Sequence, residues 1–307
     1  MTIRASIVVL THNRPTLLRH SVASALNQTV SDIEVLILGD GVTEATRVSA
    51  TALAADPRVR FLDYPKGPHR GEIHRDTAIR EAASNAIFYL CDDDLLLPTH
   101  VESLLELLQN HNFVQSKNCW VDDIGRVIPH IADLASAETI RWHLRDDISY
   151  NAVSITGTAH LRDFYLSAER PWSTTPPGQW PDHYQWRKLF ALPDLSGATS
   201  LRATALQFPA TVGHREHWTE VEQLAELEKW VALIKREGAE RLVEEAYQVG
   251  MSYALEQTGF AQLQQQLEAE RMRSSRSWKL TAPLRWLYTL RRRITTREES
   301  APTEQRK

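Results

Sequence analysis

Three consecutive carboxylates, Asp92-Asp93-Asp94, follow directly on the apolar run Ala86 to Leu90 and Cys91. Acid groups this close repel one another. A hard divalent cation, Mg²⁺ or Mn²⁺, neutralises such a cluster, taking one or two of its carboxylates together with phosphate oxygens of a ligand. In an extended segment alternate side chains share a face, so Asp92 and Asp94 form the expected working pair and Asp93 points away. The competing use is as solvated loop acids or helix caps. Two other apolar runs end in polar groups: Thr11-His12-Asn13-Arg14-Pro15 after the first, and Gly39-Asp40-Gly41 after the second. Asp40 can accept an N–H from a nucleobase, or serve as a plain turn residue. Arg70 and Arg75 carry the forked donors that fit phosphate oxygens, or lie on a solvated helix face. No GxGxxG or Walker A string is present, which argues against dinucleotide cofactors and P-loop ATPases.

The elements that must hold these groups are legible in the first hundred residues. Ser6 to Leu10, Ile33 to Leu38, Val59 to Tyr64 and Ala86 to Leu90 are short, continuously apolar or β-branched runs. That pattern suits strands covered on both faces. Helical spacing between them (Leu18, Val22, Ala25; Ala45, Val48, Ala52; Glu72 to Ser84) predicts β-α-β units and a mostly parallel sheet. Pro15 sits where a first helical turn tolerates it. Val101, Leu104, Leu105 and Leu108 mark one more helix, and Val114 to Val121 with Arg126 to Ile128 reads as a hairpin. Residues 130–215 have no clear period. Glu220 to about Gln257 is helical with expected interruptions at Gly238 and Gly250, and Gln262 to Met272 is an exposed helix or linker.

Composition bounds the class. The chain has 307 residues, 42 % hydrophobic and 24 % charged, enough for a real core. Its net charge is −4, which excludes a general nucleic-acid binder. Two cysteines are too few for a disulfide framework and fit a reducing cytosol. No run approaches 18 apolar residues, and no signal peptide is apparent.

The strings Ser6 to Arg14, "SALNQTVSDIEVLILGDG" ending at Gly41 and "HRDTAIREAASNAIFYLCDDD" ending at Asp94 resemble the family 2 glycosyltransferases. The resemblance covers roughly residues 4–110. It implies the α/β GT-A fold, a nucleotide diphosphate sugar donor and inverting transfer. It further implies that Asp40 contacts the base, Asp92 the ribose side, and Asp94 the metal. Thr11, Asn13, Arg14, Arg70, Arg75 and Asp93 join the donor side. Gly39 and Asp76 depart from the family pattern, which usually has an acid and an Asn there. Inverting transfer needs a base for the acceptor hydroxyl. Asp182, in Pro181-Asp182-His183, matches best, with His183, Asp163 and Asp194 as weaker candidates and a helix cap as its other use. His214, with His217 three residues on, could complete the metal shell or remain a surface feature. Trp172, Trp180 and Trp186 could stack on sugar or pack in the core.

The domain reading is a GT-A domain over 1–218 (1–110 nucleotide-sugar-binding, 111–218 acceptor-binding), a helical extension over 219–272 and a basic amphipathic tail over 273–307. Residues 271–297 hold nine Lys/Arg and no Asp/Glu. In a helix, Trp286, Leu290, Ile294, Leu287, Leu284 and Tyr288 share an arc of roughly 200° with arginines mostly opposite. Such a helix suits an anionic leaflet, its own body or a partner. The expectation is a cytoplasmic enzyme, peripheral on the inner membrane face, acting on a lipid-linked glycan in surface polysaccharide synthesis. The rivals are a non-catalytic nucleotide-sugar-binding or scaffold subunit and a sugar-phosphate nucleotidyltransferase.

Overall fold

A computed structural model describes residues 2–130, 132–145, 151–169, 171–210 and 215–274. The chain divides into two compact units, Met1–Met251 and Ser252–Lys307. The first half alternates β1 (Ala5–Thr11), α1 (Pro15–Leu26), β2 (Ile33–Asp40), α2 (Glu44–Leu53), β3 (Val59–Tyr64), α3 (Ile73–Glu81) and β4 (Ala86–Cys91). There follow β5 (Leu95–Leu96), α4 (His100–Leu107), β6 (Phe113–Gln115), β7 (Asn118–Val121), β8 (Val127–His130) and α5 (Ala137–His143). The chain continues through β9 (Thr158–Leu161), α6 (Arg162–Ser167), α7 (Pro181–Phe190), β10 (Gly197–Thr199), β11 (Ala205–Gln207), α8 (Glu220–Ile234) and α9 (Ala239–Ser274).

Among the described residues the main sheet runs β10-β6-β9-β4-β1-β2-β3. β3, β2, β1 and β4 are parallel, while β9 is antiparallel to both β4 and β6. Continuous apolarity in β1 has a direct cause. Ile7 and Val9 enter one core with Leu18, Val22 and Ala25 of α1 and Val101 and Leu104 of α4. Val8 enters the opposite core with Ala78 and Ile79 of α3 and Trp186 and Leu189 of α7. Both faces are covered, so no polar face survives in the sequence. Each such aliphatic side chain, fully buried, contributes about 2 kcal/mol.

A smaller sheet, β5-β11-β7-β8, carries a third core. Leu227 of α8 and Val243 and Tyr247 of α9 pack into that core. Thr219 and Glu222 form a capping box that starts α8. The segment expected as one strand over 114–121 is two strands. β6 belongs to the main sheet and β7 pairs with β8 and β11, with the step at Ser116-Lys117. Gly250 does not interrupt α9. A Cβ there would lie 2.4 Å from the Val127 carbonyl oxygen, so the glycine permits close packing on β8. Gly238, at φ 75°, does separate α8 from α9. No described helix is long and apolar enough to cross a membrane. The basic stretch from residue 275 onward lies outside the described residues.

Candidate active site

β1, β2 and β4 are neighbours that end together at Thr11, Asp40 and Cys91. The sheet grows from β1 outward to β3, and β4 then joins on the other side of β1. That reversal is a topological switch point, where open α/β sheets bind ligands beyond their carboxyl ends. A cleft of about 810 Å³ opens there. Thr11, Asn13, Arg14, Asp40, Arg70, Arg75, Asp92, Asp93, Asp94 and Asp182 all line it. His214 lies outside the described residues.

The acidic triplet is a turn, not an extended strand, since the Asp94 N–H reaches back to the Cys91 carbonyl at 3.3 Å. The alternation expected for Asp93 therefore fails, and its side chain faces the cleft. Asp92 accepts the Thr11 hydroxyl at 2.7 Å and the Arg14 guanidinium at 3.1 Å. Arg14 also pairs with Asp93. Asp94 accepts the Phe208 N–H at 2.9 Å, which ties it to the strand end of β11. The ligand atoms of Cys91, Asp93 and Asp94 lie within 4.8 Å of one another. The carboxylates whose oxygens converge are thus Asp93 and Asp94 rather than the expected Asp92 and Asp94, with Arg14 engaging both Asp92 and Asp93.

Burial raises the Asp93 and Asp94 carboxyls, and the neighbouring carboxylates push the same way, while Arg14 opposes. Burial, with Asp94 and Asp93 adding, also raises the Cys91 thiol, so it brings no negative charge of its own. Two crowded, poorly solvated carboxylates fit a hard cation, Mg²⁺ or Mn²⁺, better than a thiolate-seeking one.

Asp40 is 1 % exposed and engaged on both carboxylate oxygens by protein donors. It accepts Lys66 Nζ at 2.6 Å and the Gly67 N–H at 2.6 Å, and His74 Nε2 lies at 3.3 Å. Burial would raise its pKa, but these donors hold it below the usual carboxylate value. Gly71 abuts it so closely that a Cβ would sit 2.2 Å from the Asp40 carboxyl carbon. Asp40 therefore anchors the 66–71 loop in this structure. Asn13 Oδ1 accepts the Thr43 N–H at 3.0 Å, at the start of α2.

The Arg75 guanidinium makes no side-chain hydrogen bond or ion pair among the described residues, while its backbone N–H reaches the Glu72 carbonyl at 3.2 Å. It lies over the Trp172 ring at 4.7 Å, and burial lowers its pKa. Trp172 is fixed by its own donors, with Nε1 to the Tyr89 hydroxyl at 2.9 Å and N–H to the Tyr165 hydroxyl at 3.3 Å. Tyr165 in turn donates to Asp76 at 2.7 Å, so the departure at Asp76 is absorbed in this support.

Asp182 stands in the first turn of α7, after the N-cap Trp180 and Pro181. It is not the cap. Its Oδ1 accepts the His183 N–H at 3.0 Å, and the Asn151 side chain also bonds it. Burial raises its pKa, with Arg75 opposing. His183 is buried against His143 and does not line the cleft. Asp163 and Asp194 are exposed and away from it, and His217 is exposed beside Glu216. Trp186 is core, Trp172 supports Arg75, and Trp180 alone of the three is exposed, at 44 %. Trp120, Asn151, Thr156, Gln207 and Phe208 also line the cleft. Sequence reasoning missed them because short strands and loops over 116–210 carry no period.

Residues 6–149 match the family described as Glycosyl transferase family 2. That segment, just under half of the chain, is a family 2 glycosyltransferase segment. Chondroitin synthase of Escherichia coli is 38 % identical over 174 residues, covering 55 % of this chain and 23 % of that protein. The GalNAc(5)-diNAcBac-PP-undecaprenol beta-1,3-glucosyltransferase of Campylobacter jejuni is 24 % identical over 128 residues, 40 % of each chain. This chain thus spans less than half the length of these relatives. The fold is that of S. aureus TarS 1-349, solved in complex with UDP-GlcNAc. The TM-score is 0.53 at 13 % identity, covering 76 % of this chain and 67 % of that one. The architecture of this chain is therefore GT-A, with a helical C-terminal region.

Proposed function

We propose that this family 2 glycosyltransferase is a metal-dependent inverting enzyme that moves a sugar from a nucleotide diphosphate to a glycan acceptor. One observation carries the reading. The Asp93–Asp94 pair, Arg75, which forms no ion pair among the described residues, and a raised-pKa carboxylate at Asp182 line one cleft at the switch point of the sheet. Asp93 and Asp94 hold the cation, which when bound supplies charge neutralisation at the leaving diphosphate. Arg75 binds the same diphosphate from the other wall. Asp182 takes the acceptor hydroxyl proton as that oxygen bonds to the anomeric carbon and the bond from that carbon to the diphosphate breaks. Displacement from the opposite face inverts the anomeric centre.

The names of the relatives support a polysaccharide or polyprenol-linked acceptor for this chain, and the TarS complex supports a nucleotide-sugar donor. The stretch 275–307 is proposed to rest on an anionic leaflet, and co-sedimentation with anionic against neutral vesicles tests it: equal recovery with both removes that part. A scaffold subunit would bind donor without turning it over. A panel of nucleotide sugars, assayed for binding and hydrolysis with divalent cation and with chelator, tests the main reading. Chelator-sensitive binding and slow hydrolysis of a donor are expected. Binding with no turnover, with or without acceptor extracts, favours the scaffold.

A further inference from the structure

The three arginines of the cleft stand in different surroundings. Arg14 is held by Asp92 and Asp93. Arg75 lies half-buried on Trp172. Arg70 is exposed, its guanidinium carbon over the Trp180 ring at 5.4 Å from the ring centre, and no ion pair or side-chain hydrogen bond engages it among the described residues. The acids near it are already used. Glu72 is fully buried, and its two oxygens accept the Thr175 N–H at 2.8 Å and the backbone N–H of Arg70 itself at 3.0 Å. Asp40 is taken by Lys66 and Gly67.

The loop that carries Arg70 is rigidly built. Lys66 Nζ donates to the Asp40 carboxylate and to the carbonyls of Gly67 and His69, at 2.6, 2.9 and 2.8 Å. His69 adopts φ 52° and Gly71 φ 68°, flanking Arg70 on both sides. A non-glycine residue in the left-handed region persists only where its surroundings hold it. The loop is thus a fixed mount that sets Arg70 across the cleft mouth onto Trp180. A cation–π contact with an indole uses the charge of the guanidinium but none of its N–H donors, which stay available for a forked contact with an anion. Trp180 is the N-cap of α7, two residues before Asp182. Arg70, Trp180 and Asp182 line the same cleft, so an anion at Arg70 shares it with the base that must meet the acceptor, while the diphosphate has Arg75 and the Asp93–Asp94 pair.

We propose that Arg70 and Trp180 form an acceptor subsite for a glycan carrying an anionic group, a carboxylate or a phosphate, next to the sugar that receives the transfer. This rests on the glycosyltransferase reading, and it moves Arg70 from the donor side to the acceptor side. The test is calorimetric titration of full-length protein loaded with UDP and Mn²⁺, using cellobiose, glucuronyl-glucose and glucose 6-phosphate as probes. At least one anionic probe should bind about tenfold more tightly than cellobiose. Arg70→Met should abolish that difference, Arg70→Lys should retain part of it, and the UDP affinity of both variants should match wild type. Comparison of the two anionic probes separates carboxylate from phosphate. Equal binding of all three probes by wild type, or no binding of either anionic probe, overturns the subsite. A fall in UDP affinity in Arg70→Met overturns it too, returning Arg70 to the diphosphate. Failure of wild type to bind UDP with Mn²⁺ strikes the donor reading instead, and is seen before any probe is added.

Discussion

Asp182 faces two opposed demands. The fold buries it and so favours its neutral form, whereas a base works only when ionised. Its raised pKa should appear as an acidic limb in the pH–rate profile, above the ordinary carboxylate range, with activity lost as pH falls through it. Asp182→Asn is expected to lower turnover about 10²-fold or more, remove that limb, and leave nucleoside diphosphate affinity unchanged. The sign for stability is opposite. A carboxyl whose folded pKa is raised contributes stability at low pH that is lost as pH rises through that value. The permanently neutral Asn should therefore melt at or above the wild-type temperature near pH 8 and below it nowhere in that range. A variant that melts lower and loses nucleotide affinity would make Asp182 a structural residue of the donor site. At this scale the sequence shows residue types and strand ends, which was enough to bring Thr11, Asp40, Asp92, Asp93 and Asp94 to one cleft, while Asp182 came from the family resemblance. It does not show how a turn rotates Asp93 inward, nor that Lys66 and Gly67 engage the Asp40 carboxylate, because neither has a local sequence period.

Among the elements, periodic runs are legible and close approaches are not. β1, β2 and β4 read as buried strands because both their faces meet apolar cores. β6 and β7 read as one strand because three or four residues cannot display an alternation that switches sheets at Ser116-Lys117. Gly250 reads as a helix breaker, whereas its missing side chain is what lets α9 lie on β8. The two glycines of α9 provide a matched experiment. Gly250→Leu must displace the Val127 carbonyl or Pro129, and should lose about 1–3 kcal/mol in a denaturant melt. Gly259 has nothing within 4 Å of a built Cβ, so Gly259→Ala should be neutral or gain up to about 1 kcal/mol through helix propensity. Equal responses at the two positions would mean that α9 does not pack on β8 through Gly250.

At the scale of the whole molecule, the parallel strands β3-β2-β1-β4 hold the donor edge and the segments that follow β4 close the cleft over it. Phe208, at the end of β11, donates to Asp94, and α7 delivers Asp182 from the opposite wall. The family match over residues 6–149 takes in the strand ends but not α7, so the second wall is the part that this match leaves open. The account stands on the Asp93–Asp94 pair holding a cation that the donor diphosphate shares. Its most direct test is calorimetric titration of a nucleoside diphosphate into wild type and Asp94→Asn, each with Mn²⁺ and with chelator. Wild type should bind at least about tenfold more tightly with Mn²⁺ than with chelator, and Asp94→Asn should bind weakly and equally under both conditions while keeping the wild-type melting profile. Cation-dependent binding that survives intact in Asp94→Asn would contradict the account.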